Sequence, residues 1–503
     1  MTEIILGPPG TGKTTKLIRL VEDALSRGVP PDRIGYFSFT VKAATEAMER
    51  ARAKFKLEKK DLPNFSTLHS MCFKQLGIKR HEVLSGARMK EFAEYAGVEI
   101  SGNISEDGTS SGFSSGDRLL FMENLSRIRQ IPLQTLHSMD DDGLSRGRLL
   151  DFAARLQEFK EAHGLLDFTD MLSDFLRQRI KVNLEELFID ESQDLSALQW
   201  RVVERLAEGC KRVAVAGDDD QAIYRWAGAD VDHLIDMRGD VKVLNQSYRV
   251  PRTIQDLANS VISGVRHRRE KKWAAREADG RVDQTMSFNN VDCSSGQILV
   301  LARNIYVIAE QIEPALRHQG ILYRRLPYEN WSVGERTLRA MTMWERLRKG
   351  GLATVKEIRE IYGLMTLGRG VKRGFKTLSG HEEDTCHDLR WMKKEGGLLR
   401  EDEWYDALDM IPRSQIGYIR KALQRGENLR KVPRVTISTI HGSKGGEADH
   451  VVIMKEMASR TYQEMQKNPE DERRVWYVAA TRARERLTLV EPQRDSARKC
   501  PWL

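Results

Sequence analysis

The sequence predicts two α/β domains in series, each built on a parallel sheet and each interrupted by a mainly helical insertion. Three observations predict it. Short apolar runs alternate with helical stretches, the pattern of strands covered on both faces by helices. The alternation occurs in two separate sets along 503 residues, a length beyond one compact domain. Within each set lies a long stretch with helical periodicity and no strand signal.

Taken in order, residues 3–6 (EIIL) are an apolar strand leading through GPPGTGKTT into a helix from Lys16 to Ser26. IGYFSF (34–39) is strand-like and precedes a helix through Ala43 to Arg52, while LFID (187–190) and VAVAG (213–217) are further buried strands. A second set begins at VKVLN (241–245), continues through ILVLAR (298–303), VTIST (435–439) and VVIM (451–454), and closes with LTLV (487–490). RLLFMENLSRIRQ (118–130) and LLDFAARLQEFKEA (149–162) mark the first helical interruption, and residues 328–430, highly charged, the second. SGNISEDGTSSGFSSG (101–116) lacks periodicity and reads as a mobile loop. The expected partition is 1–76 with 161–238 for the first α/β domain and 77–160 for its insertion. Residues 239–327 with 431–503 form the second, and 328–430 its insertion.

Hydrophobic residues make up 40% of the chain and charged residues 31%, ordinary values for a packed globular protein. No apolar run reaches about 18 residues, so no membrane-spanning helix is expected. Met1 runs almost at once into a strand and a Gly-rich loop, so no cleaved leader is expected. Cys72, Cys210, Cys293, Cys386 and Cys500 form no CxxC pair, which argues against a zinc ribbon or disulfide framework and suits a reducing cytoplasm. Cys386 and His387 are adjacent but lack partners at zinc-site spacing. A net charge of +8 favours an anionic partner such as nucleic acid. The run RHRREKKWAAR (266–276) reads first as a solvated charged face.

GPPGTGKT (7–14) fits the pattern G-x-x-x-x-G-K-[ST] between a strand and a helix. Gly7, Pro8, Pro9, Gly10, Thr11, Gly12, Lys13, Thr14 and Thr15 are therefore the expected phosphate cradle, with backbone N–H groups and a helix N-terminus turned to the anion. Lys13 would reach the β- and γ-phosphates, and Thr14 would hold Mg²⁺. In LFIDESQD (187–194) an apolar strand runs into two carboxylates. Asp190 can hold Mg²⁺ through water, and Glu191 can polarise an attacking water.

Further segments follow in order: FSFTVKAATEAMER (37–50), FSTLHSMCFKQLG (65–77), LLDFTDML (165–172), AGDDDQAIYRWAGAD (216–230), LNQSYRVPRTI (244–254), TIHGSKGGEADHVVI (439–453) and RRVWYVAATRARERL (473–487). With the phosphate loop and the acidic strand end, they resemble the motifs of the UvrD/Rep/PcrA-type helicases of superfamily 1. The resemblance implies two RecA-like motor domains and an ATP- and Mg²⁺-dependent DNA helicase or single-strand translocase moving 3′ to 5′. Its implied partners are single-stranded DNA and tailed or forked duplex, and its implied state is a functional monomer in the cytoplasm, near the nucleoid, or in the host cytoplasm if virally encoded. By the same resemblance Gln221 contacts the γ-phosphate, Tyr248 stacks on adenine and Glu447 binds near the ribose. Arg249 and Arg482 reach the γ-phosphate from the second domain, where an arginine finger is worth about 10³–10⁵ in rate. Tyr224 and Trp226 match the base-stacking pair, Phe39 and His69 are further track residues, and Lys42, Thr67, Thr439, His441 and Lys444 line the strand's backbone. Stacking a base on an aromatic ring is worth roughly 1–3 kcal/mol whatever the base, which suits a moving motor.

The chain departs from the family at several positions. Ser192 and Leu195 stand where many relatives carry an aromatic residue and a threonine, Ala227 replaces an arginine, and Gly446 and Ala448 replace larger apolar residues. The adenine-reading glutamine segment has no counterpart in the six residues before Gly7, so other nucleoside triphosphates are expected to enter. The second insertion is shorter than in the large bacterial members, and no nuclease domain is expected after LTLV. Two rival readings are a translocase that displaces proteins with little unwinding and a non-catalytic nucleic-acid-binding scaffold. A metabolic P-loop kinase is disfavoured by the second α/β set and by AGDDDQAIYRW.

Overall fold

The computed structural model describes residues 2–39, 41–101, 114–139, 143–327, 329–494 and 496–503, and of Lys42 the backbone alone. Most of the predicted loop 101–116 therefore lies outside the described residues. The chain divides into two compact units, Met1–Asp279 with Met465–Thr481 and Gly280–Glu464 with Arg482–Leu503.

In the first unit six parallel strands lie in the order Phe65–Ser66, Ile34–Ser38, Glu186–Asp190, Arg212–Gly217, Thr2–Leu6, Asp240–Val243. Strand alternation sends neighbours to opposite faces. Ile4, Phe37, Ile189 and Val215 pack with Met171, Phe175 and Leu198, whereas Ile5, Tyr36, Phe188 and Ala214 pack with Leu17, Val21 and Met48. VKVLN is corrected by this sheet. It does not open the second set, because Asp240–Val243 pairs in parallel with Thr2–Leu6 at the edge of the first. All four of its residues are exposed, and an alternating Lys-containing run suits such an edge.

Helices Ala87–Ala96, Ser115–Arg129, Leu133–Ser138 and Arg146–His163 fill the first interruption. They enclose a core of their own that includes Phe92, Leu120, Phe152, Leu156 and Phe159. A charge cluster ties this insertion to helix Phe168–Arg177 beneath the sheet. Lys160 Nζ lies 2.8 Å from Asp167 and 2.7 Å from Asp170, and Arg127 lies 2.7 Å from both Asp167 and Glu123.

The second unit holds a seven-stranded sheet ordered Asn330–Trp331, Tyr323–Arg325, Val435–Thr439, Ile298–Ala302, Ala448–Met454, Ala483–Val490, Arg281–Thr285. Only the pairing of Asn330–Trp331 with Tyr323–Arg325 is antiparallel. Helices Glu335–Arg348, Val355–Tyr362 and Arg413–Gln424 pack a separate core around Trp344, Ile358, Tyr362 and Ile419. Both sheets have the mixed α/β, parallel-strand character expected of tandem RecA-like domains. Among the described residues, no helix is long and apolar enough to cross a membrane.

Candidate nucleotide site and nucleic-acid interface

Strand Thr2–Leu6 delivers the chain into the Gly-rich loop, and helix Lys13–Ser26 leaves it. Gly10 and Gly12 take left-handed φ values of 73° and 80°, open to glycine at little cost. A Cβ on Gly10 would lie 2.4 Å from Arg249 Cβ, and one on Gly7 would lie 2.0 Å from Lys13 Cγ. Lys13 Nζ donates to the Gly7 carbonyl at 2.8 Å, and Thr11 Oγ1 donates to the Pro8 carbonyl at 2.8 Å. Ser247 Oγ donates to the Pro9 carbonyl at 2.8 Å, and the Tyr248 N–H to the Gly10 carbonyl at 2.8 Å. These bonds overturn the placing of Arg249 on the second domain: strand Gln246–Pro251 belongs to the first unit and stands against the loop. Tyr248 leaves its ring 73% exposed beside it. Thr15 is exposed and accepts a 3.4 Å hydrogen bond from Arg50.

Asp190 ends strand Glu186–Asp190 fully buried, with one oxygen accepting from Thr14 Oγ1 at 2.7 Å and from the Tyr36 hydroxyl at 2.8 Å. Burial and the neighbouring Glu191 carboxylate push the Asp190 carboxyl up to about 6, against the pull of Thr14, Tyr36 and Lys13. A carboxylate touching a threonine hydroxyl is a hard-oxygen pair of the kind Mg²⁺ takes. Ser38, in register with Asp190, adds a buried hydroxyl with no hydrogen-bond partner among the described residues. The residues present thus fit the metal. Glu191 adopts φ 52°, unusual for a side chain larger than glycine, and accepts from Gln193 Nε2 at 2.7 Å. The glutamine of that pair also accepts, through Oε1, from the Asp218 N–H at 3.0 Å.

Strand Arg212–Gly217 opens onto three buried carboxylates, Asp218, Asp219 and Asp220. Gln221 Nε2 donates to Asp218 Oδ2 at 2.6 Å. The basic run 266–276 is not a solvated face throughout. Lys271 is buried among all three carboxylates, Arg268 forks onto Asp220, and the Arg269 N–H donates to Asp219 at 2.8 Å. Arg474, on helix Pro469–Ala480 of the same unit, donates to the Asp219 carbonyl at 3.0 Å. Sequence reasoning missed these partners. The available signal was a triple-aspartate run with a basic run of similar density about fifty residues on.

The aromatic candidates cluster. Phe39 stacks on Tyr224 at 5.7 Å between ring centroids, Phe121 of the helical insertion stacks on Trp226 at 6.2 Å, and Trp226 is 49% exposed. A small cavity is lined by Phe39, His69, Thr169, Tyr224 and Ala227. His69 is 8% exposed and packs edge-on against Phe168, while Thr67 Oγ1 caps helix Leu68–Gln75 by accepting from the Ser70 N–H at 3.2 Å. The Lys42 side chain lies outside the described residues.

In the second unit one loop carries Thr439, which accepts from the Gly442 N–H at 3.1 Å, the turn His441–Ser443, and Lys444. Glu447 pairs with Arg484, and Arg482, almost fully buried, donates to the Gly446 carbonyl at 3.3 Å.

Residues 2–242 match the UvrD/REP helicase N-terminal domain and residues 402–493 the UvrD-like helicase C-terminal domain. The chain belongs to the UvrD/REP helicase family. It is 22% identical to the ATP-dependent DNA helicase Rep of Salmonella typhimurium over 97% of this chain and 88% of that protein. It is 26% identical to the ATP-dependent DNA helicase PcrA of Bacillus subtilis over 64% of this chain and 45% of that protein. With the putative ATP-dependent DNA helicase YjcD of the same organism, identity is 25% over 56% of this chain and 39% of the relative. The chain thus spans most of Rep but under half of the other two relatives. UvrD/REP membership gives the phosphate loop, the acidic strand end and the Asp218–Gln221 turn a common setting.

Proposed function

We propose that this chain is an ATP-dependent DNA helicase that translocates 3′ to 5′ on single-stranded DNA. The observation that carries the reading is the convergence, within one unit, of Lys13, Thr14, Asp190, Glu191 and Gln221 around a glycine-shaped phosphate loop. Lys13 exchanges the Gly7 carbonyl for phosphate oxygens. Thr14 and Asp190 would hold Mg²⁺, which would supply positive charge against the phosphates. Glu191, oriented by Gln193, holds the attacking water, and Gln221 reads the γ-phosphate. Tyr248 stacks on the base, Arg249 stands beside the loop, and Glu447 reaches the ribose edge. Arg482, carried by the second unit, is the finger delivered when the two units close on nucleotide. That coupling turns hydrolysis into movement.

Phe39, Tyr224 and Trp226 take successive bases on the first unit, with His69 and Thr67 behind them. Thr439, His441 and Lys444 hold the strand's backbone on the second. Gln221 lies three residues from Tyr224, so one turn joins the phosphate reader to the stacking platform. The protein acts as a monomer in the cytoplasm on tailed or forked duplex.

The test is ATP turnover with and without single-stranded DNA or RNA, followed by unwinding of 3′- and 5′-tailed duplexes. The reading predicts stimulation by single-stranded DNA, loss of turnover in Glu191→Gln, and opening of the 3′-tailed duplex. Turnover indifferent to DNA, or intact in Glu191→Gln, contradicts it. Protein displacement without unwinding would instead support a pure translocase.

A further inference from the structure

We propose that Lys271 is a positioning residue for Gln221, acting through the carboxylate of Asp218. The proposal rests on the nucleotide-site reading above. Three successive carboxylates, Asp218, Asp219 and Asp220, are almost wholly removed from solvent. Uncompensated charges so placed repel one another and are costly to bury. Lys271, from a segment distant in sequence, fills their midst. Its Nζ lies 3.1 Å from Asp218 Oδ1 and 3.1 Å from Asp220 Oδ2, and also contacts Asp219. Burial pulls the ammonium down, but Asp218, Asp220 and Asp219 together hold it above the ordinary lysine range, so it is charged at neutral pH.

The three carboxylates are not equivalent. Asp220 has the fork of Arg268, and Asp219 has the Arg269 N–H. Asp218 has Lys271 on Oδ1 and gives Oδ2 to the amide of Gln221 at 2.6 Å. Its own N–H reaches Gln193, which in turn holds Glu191. Asp218 is therefore the junction between the water-orienting glutamate and the phosphate-reading glutamine.

Gln221 carries two amide N–H groups, and the one bonded to Asp218 Oδ2 sets the orientation in which the amide meets a γ-phosphate oxygen. Lys271, together with the Asp220 N–H, fixes the direction of that carboxylate and withdraws part of its charge, which sets how firmly the Gln221 amide is aimed. Removing Lys271 leaves Asp218 more negative and held at Oδ1 by the Asp220 N–H alone.

The experiment is a double-mutant cycle on DNA-stimulated ATP turnover by the full chain, using Lys271→Met and Gln221→Ala singly and together. Lys271→Met is expected to lower kcat about tenfold, the scale of one charge-assisted hydrogen bond, with KM for ATP changing far less. In the Gln221→Ala background the same change is expected to cost almost nothing, because its effect passes through that amide. Additive losses, or a matching fall in nucleotide affinity, would reduce Lys271 to a structural cation and overturn the proposal. Should Lys271→Met not fold, Asp218→Asn replaces it in the cycle and is expected to show the same non-additivity. If Gln221→Ala leaves turnover intact while Lys13→Ala abolishes it, the proposal fails and the nucleotide site stands. If Lys13→Ala also leaves turnover intact, the site reading falls with it.

Discussion

Gly10 stands with φ at 73°, and its missing side chain is the space that Arg249 Cβ would otherwise contest at 2.4 Å. Gly10→Ala must therefore adopt a left-handed backbone at a cost of about 1–2 kcal/mol and also move strand Gln246–Pro251. Nucleotide affinity should fall by at least about tenfold in a fluorescent-ADP titration, since 1.4 kcal/mol is one decade and the displacement adds to the strain. Asp190 gives a pH test. Its carboxyl is raised to about 6, so it is protonated below that pH and ionised above it. Mg²⁺ needs the ionised oxygen, and the Mg²⁺ concentration required for ADP binding should rise as pH falls through 6. Glu191→Gln removes the neighbouring charge, so the rise should begin at lower pH. Magnesium titrations of ADP binding at several pH values check both statements. At this scale Lys13, Thr14, Asp190 and Glu191 were legible because each is bound to a short local pattern. Tyr36 was not. Its phenol bonds Asp190 across 154 residues of sequence, and inside IGYFSF it reads as one more core aromatic.

Helix Arg146–His163 meets helix Phe168–Arg177 through Lys160, which sits buried between Asp167 and Asp170. Burial opposes ionisation of Asp167, but Arg127 and Lys160 outweigh it and hold the carboxyl far below its usual range. Lys160→Met strands those carboxylates with Arg127 alone, and breaking a buried pair costs about 3–5 kcal/mol. Denaturant unfolding should show that loss, while Lys160→Arg should keep most of the stability. In EFKEAH nothing separates Lys160 from a solvated helix face, because burial of a charge depends on partners the helix period does not reveal. Strands were easier. VTIST corresponds to Val435–Thr439 residue for residue, since four of its five residues are β-branched and the run is bounded by Pro433-Arg434 before it and the His441-Gly442 turn soon after. The edge strand Asp240–Val243 was assigned to the wrong sheet, because strand identity says nothing about which sheet edge will receive it. The basic run 266–276 failed for the same reason: its carboxylate partners are remote in sequence.

On the scale of the whole molecule the order of motifs was readable, since each motif keeps its local pattern wherever the chain crosses between units. The crossings were not. The chain returns to the first unit for Met465–Thr481, where helix Pro469–Ala480 is anchored by Arg474, and leaves it at Arg482. One motif, RRVWYVAATRARERL, is thus shared between units, and only tertiary packing reveals the division. That division separates the two arginines: Arg249 stands beside the phosphate loop within the first unit, whereas Arg482 belongs to the second. Arg249→Ala is accordingly expected to weaken nucleotide binding as well as turnover, and Arg482→Ala to spare binding. The most direct measurement is steady-state ATP hydrolysis by wild type and Arg482→Ala at saturating single-stranded DNA. An arginine finger predicts a loss of about 10³-fold or more with ADP affinity preserved. Unchanged turnover in Arg482→Ala would contradict the motor account.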